Sequence, residues 1–158
     1  MSLAAVVATL LPFLGAIPGG IINTRNRPWY EKIKRPSWRP PNWVFGPVWT
    51  CLYAGMGFAS YLVWRDGGDT TCLALYSAQL LLNWAWPPIF FGLHDARAAS
   101  LEICLLWVSV LACGLKFYSV TPVAGLLFLP YLLWVSLASA LTFDIWRMNG
   151  DKPQPVEE

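Results

Sequence analysis

An all-α membrane protein, a bundle of five transmembrane helices, is the architecture that three features of this chain predict. Residues 1–24, 40–64, 70–93 and 117–143 contain no Asp, Glu, Lys, Arg or His. A fifth stretch, about 98–118, holds only Glu102 near its start and Lys116 near its end. Each run matches the roughly 20 residues that cross a ~30 Å hydrocarbon core at ~1.5 Å per helical residue. The chain has 158 residues, 56% of them hydrophobic and 13% charged, so five such helices leave no length for a separate soluble domain. The apolar runs are continuous rather than alternating, which disfavours a transmembrane barrel. A soluble helical protein would need polar outer faces that these runs lack.

The first helix is placed at about 3–24, interrupted by Pro12 and Pro18. It has no positive n-region, and it lacks the Arg- and Ser-rich character of a matrix-targeting presequence, so the mature protein is expected to keep it. A basic loop, 25–42, follows. The second helix covers about 43–65 and ends in the aromatic and basic cluster Tyr61, Trp64 and Arg65, an interfacial anchor. Asp66-Gly67-Gly68-Asp69 is a tight turn into the third helix, about 71–93, which carries Pro87-Pro88 near its end. The fourth helix spans about 98–117. Thr121-Pro122 opens the fifth, 121–147, where a proline at the first turn costs no hydrogen bond. One domain thus covers 1–147, and the polar tail 148–158, with two prolines, is expected to be disordered.

Arg25, Arg27, Lys32, Lys34, Arg35, Arg39, Arg97, Arg147 and Lys152 fall on one side of such a bundle, and only Arg65 and Lys116 on the other. Nine basic residues against two place the first loop and the C-terminus in the cytosol. Topology therefore accounts for the basic loop, and no nucleic-acid partner is expected. Cys51, Cys72, Cys104 and Cys113 lie in or beside the spans without a CxxC pair, and His94 is the one histidine. No metal site, disulfide framework or cofactor is expected. Nor does the chain show a Ser/His/Asp set, a nucleophile elbow, an HExxH motif or a phosphate-cradling loop.

The ten tryptophans are the residues that point to function. Trp49, Trp84, Trp86, Trp107 and Trp134 lie too deep in their runs for all to be interfacial anchors, and a buried indole N–H needs a partner. Rigid aromatic walls with a few polar groups suit a large, flat, mostly apolar guest. Gln79 and Asn83 share a helix face that Trp86 continues, as inter-helix hydrogen bonders or as ligand contacts. Asp144 and Arg147 are spaced to pair. Prolines 12, 18, 87, 88 and 130 kink helices and let them part. Small pairs at Gly15/Gly19, Gly55/Ala59 and Ala74/Ala78 permit close helix approach, within the chain or, through the third helix, in a dimer.

Several of these stretches resemble one family. They are Trp29-Tyr30, Lys34-Arg35-Pro36-Ser37-Trp38-Arg39-Pro40-Pro41-Asn42-Trp43, Pro47-Val48-Trp49, Leu52-Tyr53, and Gly57 to Asp66. Gln79-Leu80, Leu82 to Phe91, Pro130-Tyr131-Leu132 with Trp134, and Trp146-Arg147 complete the set. From about residue 10 to 150 the chain is similar to the translocator protein family, also called peripheral-type benzodiazepine receptor or tryptophan-rich sensory protein, in an animal-like form. The resemblance implies a homodimeric five-helix bundle in membrane lipid with a pocket beneath the first loop. It implies binding of protoporphyrin and haem, of synthetic benzodiazepine and isoquinoline ligands, and of cholesterol. It also implies the outer mitochondrial membrane, with the endoplasmic reticulum as the alternative. By position the pocket would take Gly19, Ile22, Phe45, Gly46, Val48, Trp49, Asn83 and Trp86 from the first three helices. Leu101, Leu105, Trp134, Ala138 and Leu141 would close it. Trp49 and Trp134 match the pair that the family links to light-dependent porphyrin breakdown, so a porphyrin-degrading enzyme is the alternative to a binding or transport-associated protein. A scaffold recruiting partners through the basic loop is a third reading.

The chain departs from the family in three places. In the sterol-recognition segment (Leu141, Phe143, Arg147), Phe143 stands for a tyrosine. Asp144 occupies an aromatic position, and Ala98 replaces a tryptophan of the pocket.

Overall fold

The structure, a computed structural model, describes residues 2–155. It contains five helical spans. The first is α1 (Leu3–Leu10) followed by α2 (Phe13–Lys32), and the second is α3 (Asn42–Arg65). The third is α4 (Thr70–Pro87), prolonged by a π-helical turn at Pro88–Gly92, and the fourth is α5 (Ala96–Val120). The fifth joins α6 (Pro122–Leu127) to α7 (Leu129–Asn149), and no strand occurs among the described residues. Leu3–Lys32, Ala96–Val120 and Pro122–Asn149 are long and apolar enough to cross a membrane. Leu14, Ile17, Leu105, Leu115 and Leu133 point outward, the surface that hydrocarbon rather than water favours.

The core follows from helical periodicity. On α5, Ala99, Ile103, Leu106, Val110, Cys113 and Phe117 recur at three- or four-residue spacing and are buried, which seats this helix between α4 and α7. Tyr76 stacks on Phe117 with ring centroids 5.9 Å apart, and Phe117 meets Phe128 edge-on at 5.2 Å. At the turn before α4, Asp69 caps the helix by accepting from the Cys72 N–H at 3.0 Å and pairs with Lys116 at 2.8 Å. That lysine and then the capped amide hold its carboxyl at about 2.

The bend in the first span creates the space for the site. Proline at 12 cannot donate to the helix, and the chain breaks between Leu10 and Phe13. Trp84 Nε1 donates to the Pro12 carbonyl at 3.1 Å. Before the bend α1 packs on α3, where Gly57 is required, because a Cβ there would lie 2.7 Å from the Ala8 carbonyl oxygen. After it α2 turns away to pack on α4 and the π-helical turn, with Gly19 against Pro87. Divergence of α2 from α3 leaves a gap that aromatic side chains only partly fill.

Two expectations are corrected. The first helix does not stop at residue 24 but runs to Lys32, so the connecting loop is 33–41 rather than 25–42. The first charges mark the end of the apolar stretch, not the helix end. Arg27 and Glu31 pair at i,i+4, and Tyr30 packs edge-on against Phe90 and Phe91, which carries the helix beyond its apolar stretch. The tail is also ordered as far as it is described. Gly150, at φ 78°, ends α7, and Asp151 then accepts from Trp146 Nε1 at 2.7 Å while its carbonyl takes the Ala96 N–H at 2.9 Å. Lys152 pairs with Asp95 at 2.9 Å, and buried Pro153 accepts from Trp29 Nε1 at 3.1 Å. Asp95, which caps α5 through the Ala98 N–H and meets Lys152, has its carboxyl held below the usual range. The polar composition that reads as disorder supplies the docking contacts. Residues 156–158 of the predicted tail lie outside the described residues.

Candidate functional site

A cavity of about 320 Å³ lies between α2, α3, α4, α5 and α7. Phe13, Ala16, Gly19 and Asn23 line it from α2, and Phe45, Gly46, Trp49 and Tyr53 from α3. Asn83, Trp86, Pro87 and Phe91 form a third wall, with Ile103 and Leu106 of α5 and Val135 and Ala138 of α7 opposite. Trp49 lies 5.4 Å from the Tyr53 ring and meets Tyr131 edge-on at 6.2 Å. Trp86 stacks on Phe90 at 4.9 Å.

Polar groups are few and mostly committed. Tyr53 donates its hydroxyl to Asn83 Oδ1 at 2.8 Å, and Asn83 Nδ2 donates to the Tyr131 hydroxyl at 2.8 Å. This buried ladder joins α3, α4 and α7, with Tyr53 and Asn83 in the cavity wall and Tyr131 behind it. With Asn23 and Thr50, it supplies the few polar side chains of a mostly apolar surface. No carboxylate, histidine or cysteine lines the cavity among the described residues.

A second compartment of about 220 Å³ shares Asn23, Phe45, Trp86 and Phe91 with the first and adds Thr24, Arg27, Tyr30, Asn42, Leu141 and Ile145. The 33–41 loop connects two of its walls and is tied to a third. Asn149 accepts from the Lys34 N–H at 3.0 Å and donates to the Lys34 carbonyl at 2.8 Å, and Trp38 Nε1 donates to Asp144 Oδ2 at 3.1 Å. Asp144 sits 3.9 Å from Arg147, so its shorter contact is with the loop. Replacing Asp144 with Ala is expected to free Trp38 and to speed ligand release about three- to tenfold, whereas Asn, which keeps an acceptor, has a smaller effect. Stopped-flow dissociation of a bound fluorescent ligand measures this, and equal rates in all three proteins would remove the loop tie from the argument.

Of the residues expected at the site, Gly19, Phe45, Gly46, Trp49, Asn83, Trp86 and Ala138 surround the main cavity, and Leu141 lines the second compartment. The others fall elsewhere. Ile22 packs among the residues around Phe90 and Phe91. Val48 and Trp134 line a shallow outward groove with Pro47, Cys51 and Pro130. Trp134 reaches the cavity only through Phe45, 5.4 Å away edge-on. Leu101 and Leu105 are 58% and 62% exposed on the outward face of α5, because the inward stripe runs through Ile103 and Leu106. Phe143 leans on Trp146 at 6.1 Å, and Arg147 is exposed. Gln79 is fully buried outside the cavity, with no partner for its amide among the described residues. Of the deep indoles, Trp84 and Trp107 find acceptors in the Pro12 carbonyl and Ser136 Oγ, and Trp86 and Trp134 find none.

Sequence reasoning missed the cavity positions of Tyr53, Ile103, Leu106 and Val135. Tyr53 lies one helical turn after Trp49, and the α5 periodicity selects Ile103 and Leu106 over Leu101 and Leu105, so both signals were present.

The fold and site define a polytopic α-helical membrane protein enclosing an aromatic cavity. Residues 8–147 match the model of the TspO/MBR family. The chain is 42% identical to the human translocator protein over 147 residues, covering 89% of this chain and 87% of that one. It is 43% identical to protein CrtK of Rhodobacter capsulatus over 130 residues, 79% and 81% of the two chains. To the tryptophan-rich sensory protein of Cereibacter sphaeroides it is 38% identical over 126 residues, 80% of each. The chain belongs to the TspO/MBR family. Its relatives include animal and bacterial proteins at similar identity, so kinship alone does not choose its membrane.

Proposed function

We propose that this protein binds flat, mostly apolar amphiphiles in the aromatic cavity without turning them over. Protoporphyrin, haem and cholesterol are the natural candidates, and benzodiazepine- and isoquinoline-type compounds are the synthetic ones. The observation that supports this is the cavity itself, walled by Trp49, Trp86, Phe45 and Phe91, with Tyr53 and Asn83 of the Tyr53–Asn83–Tyr131 ladder in its wall. Leu141 of the sterol-recognition segment borders the second compartment, whereas Phe143 and Arg147 do not line it. The proposed setting is an outer mitochondrial membrane or endoplasmic reticulum, with the 33–41 loop and the C-terminus cytosolic. A homodimer would use the outward small-residue face of α4 at Ala74 and Ala78.

Titration of the purified protein in lipid nanodiscs with protoporphyrin and with cholesterol, followed by tryptophan quenching or competition, tests the proposal. Saturable binding at one site per chain is expected, and linear partitioning with both ligands would refute it. The alternative of porphyrin breakdown draws on Trp49 at the cavity wall beside Tyr53 and Tyr131. Product formed under illumination, and lost in Trp49→Phe at unchanged affinity, would favour that reading.

A further inference from the structure

We infer that residues 150–153 form a strap that clamps the ends of α2, α5 and α7 together, and that its release lets the α2 end and the 33–41 loop move off the second compartment. The consequence for a bound ligand rests on the cavity being a ligand site; the strap itself does not.

Each residue of the segment has a distinct part. Gly150 turns the chain back at φ 78° and ψ −169°, a conformation essentially reserved for glycine, and a Cβ there would meet nothing within 4 Å. The demand for glycine is therefore one of backbone, not of space. The Asp151 carbonyl then accepts from the Ala96 N–H at 2.9 Å, a first-turn donor that α5 cannot satisfy from within. The Asp151 carboxylate accepts from Trp146 Nε1 at 2.7 Å and lies 3.5 Å from Arg97 Nη1. Lys152 Nζ pairs with Asp95 at 2.9 Å. Pro153, buried, accepts from Trp29 Nε1 at 3.1 Å.

Trp29 is where the strap reaches the compartment. Its ring stacks on His94 at 4.0 Å and meets Phe90 edge-on at 5.7 Å, so the indole is fixed between the turn before α5 and the strap. Arg27 and Tyr30, on the same end of α2, line the second compartment, and the 33–41 loop departs from that end. Within the loop, Lys34 is held by Asn149, which immediately precedes the hinge at Gly150. One segment thus secures both the wall and the loop that joins it to α3.

The strap is placed to open before the bundle does. Asp151 and Lys152 are exposed, their ion pairs contribute little and are screened by salt, and of the four residues Pro153 alone is buried. A segment with few buried apolar contacts opens ahead of the helices that carry the core.

Hydrogen exchange of the full chain in nanodiscs, followed at Ala96 for the strap and at Lys34 for the loop, tests this alongside stopped-flow release of protoporphyrin. Gly150→Ala, whose added Cβ disfavours the turn without meeting a neighbour, is expected to speed exchange at both amides about tenfold and ligand release about three- to tenfold. Lys152→Glu sets a carboxylate against Asp95 and leaves α2 and the loop untouched. It is expected to act in the same direction to a smaller extent, and adding Asp95→Asn, which still caps α5, to reverse its effect. Thermal unfolding should stay within a few degrees of wild type throughout. Unchanged exchange at Ala96 in Gly150→Ala overturns the strap. Faster exchange at Ala96 with Lys34 and ligand release unchanged overturns its coupling to the compartment and reduces the segment to a cap on α5. Protoporphyrin that never saturates the wild type defeats the cavity reading instead, and exchange at Ala96 and Lys34 then judges the strap by itself.

Discussion

Replacing Ala138 with Phe is expected to weaken binding to the cavity strongly while leaving the bundle folded. Ala138 lines the cavity from α7 beside Val135, so the new ring enters open space rather than filled core. Overpacking costs are small where a void receives the added atoms, and large for a ligand that must share it. Affinity for protoporphyrin in nanodiscs should fall on the order of 100-fold, by removal of shape complementarity rather than of one contact. Thermal unfolding should stay within a few degrees of wild type. Unchanged affinity would place the ligand on the lipid-facing surface, with the groove at Val48 and Trp134 as the next candidate.

Replacing Asn83 with Ala is expected to destabilise the bundle more than any other single polar change at the site. Its amide accepts from Tyr53 and donates to Tyr131, both buried. Removing it loses two hydrogen bonds and strands two hydroxyls away from water, for a cost of about 3–5 kcal/mol. Tyr53→Phe deletes only the donor to Asn83 Oδ1 and should cost about 1 kcal/mol. Denaturation in detergent micelles measures both. Equal losses in the two variants would mean that the ladder contributes packing alone, and that its hydrogen bonds are replaced by water.

Much of the site was legible because helix geometry turns spacing into direction. Asn83 and Trp86, three residues apart on α4, do reach one cavity. The residues that went astray did so for identifiable reasons. Leu101 and Leu105 are apolar, and in a membrane an apolar side chain suits lipid as well as core, so hydrophobicity cannot assign a face. Only the buried series Ile103, Leu106, Val110 and Cys113 on the same helix does so. Trp134 was expected in the pocket, but its indole lies behind Phe45 on the outward side. That displacement depends on how α3 and α7 cross, which no local pattern encodes.

The ends of the helices show the same division. A drop in apolar character placed the first helix end at residue 24, whereas Arg27–Glu31 pairing and the contacts of Tyr30 with Phe90 and Phe91 extend it to Lys32. The tail reads as polar and proline-rich, yet Asp151 meets Trp146 on α7 and the Ala96 N–H at the start of α5, Lys152 meets Asp95 just before α5, and Pro153 meets Trp29 on α2. Trp29, Asp95 and Ala96 are distant in sequence from the tail, so composition could not reveal them.

The sequence by itself determined the five apolar spans, their order and the aromatic character of whatever they enclose, because a bilayer demands long uncharged helices with satisfied backbones. The tertiary structure alone decided that α2 leaves α3 after Pro12, that Tyr53, Asn83 and Tyr131 join into one ladder, and that Arg27 overlooks a second compartment. Each of these is a relation between helices, set by side-chain packing across the bundle, and one-dimensional periodicity specifies which face a residue occupies without specifying what that face will meet.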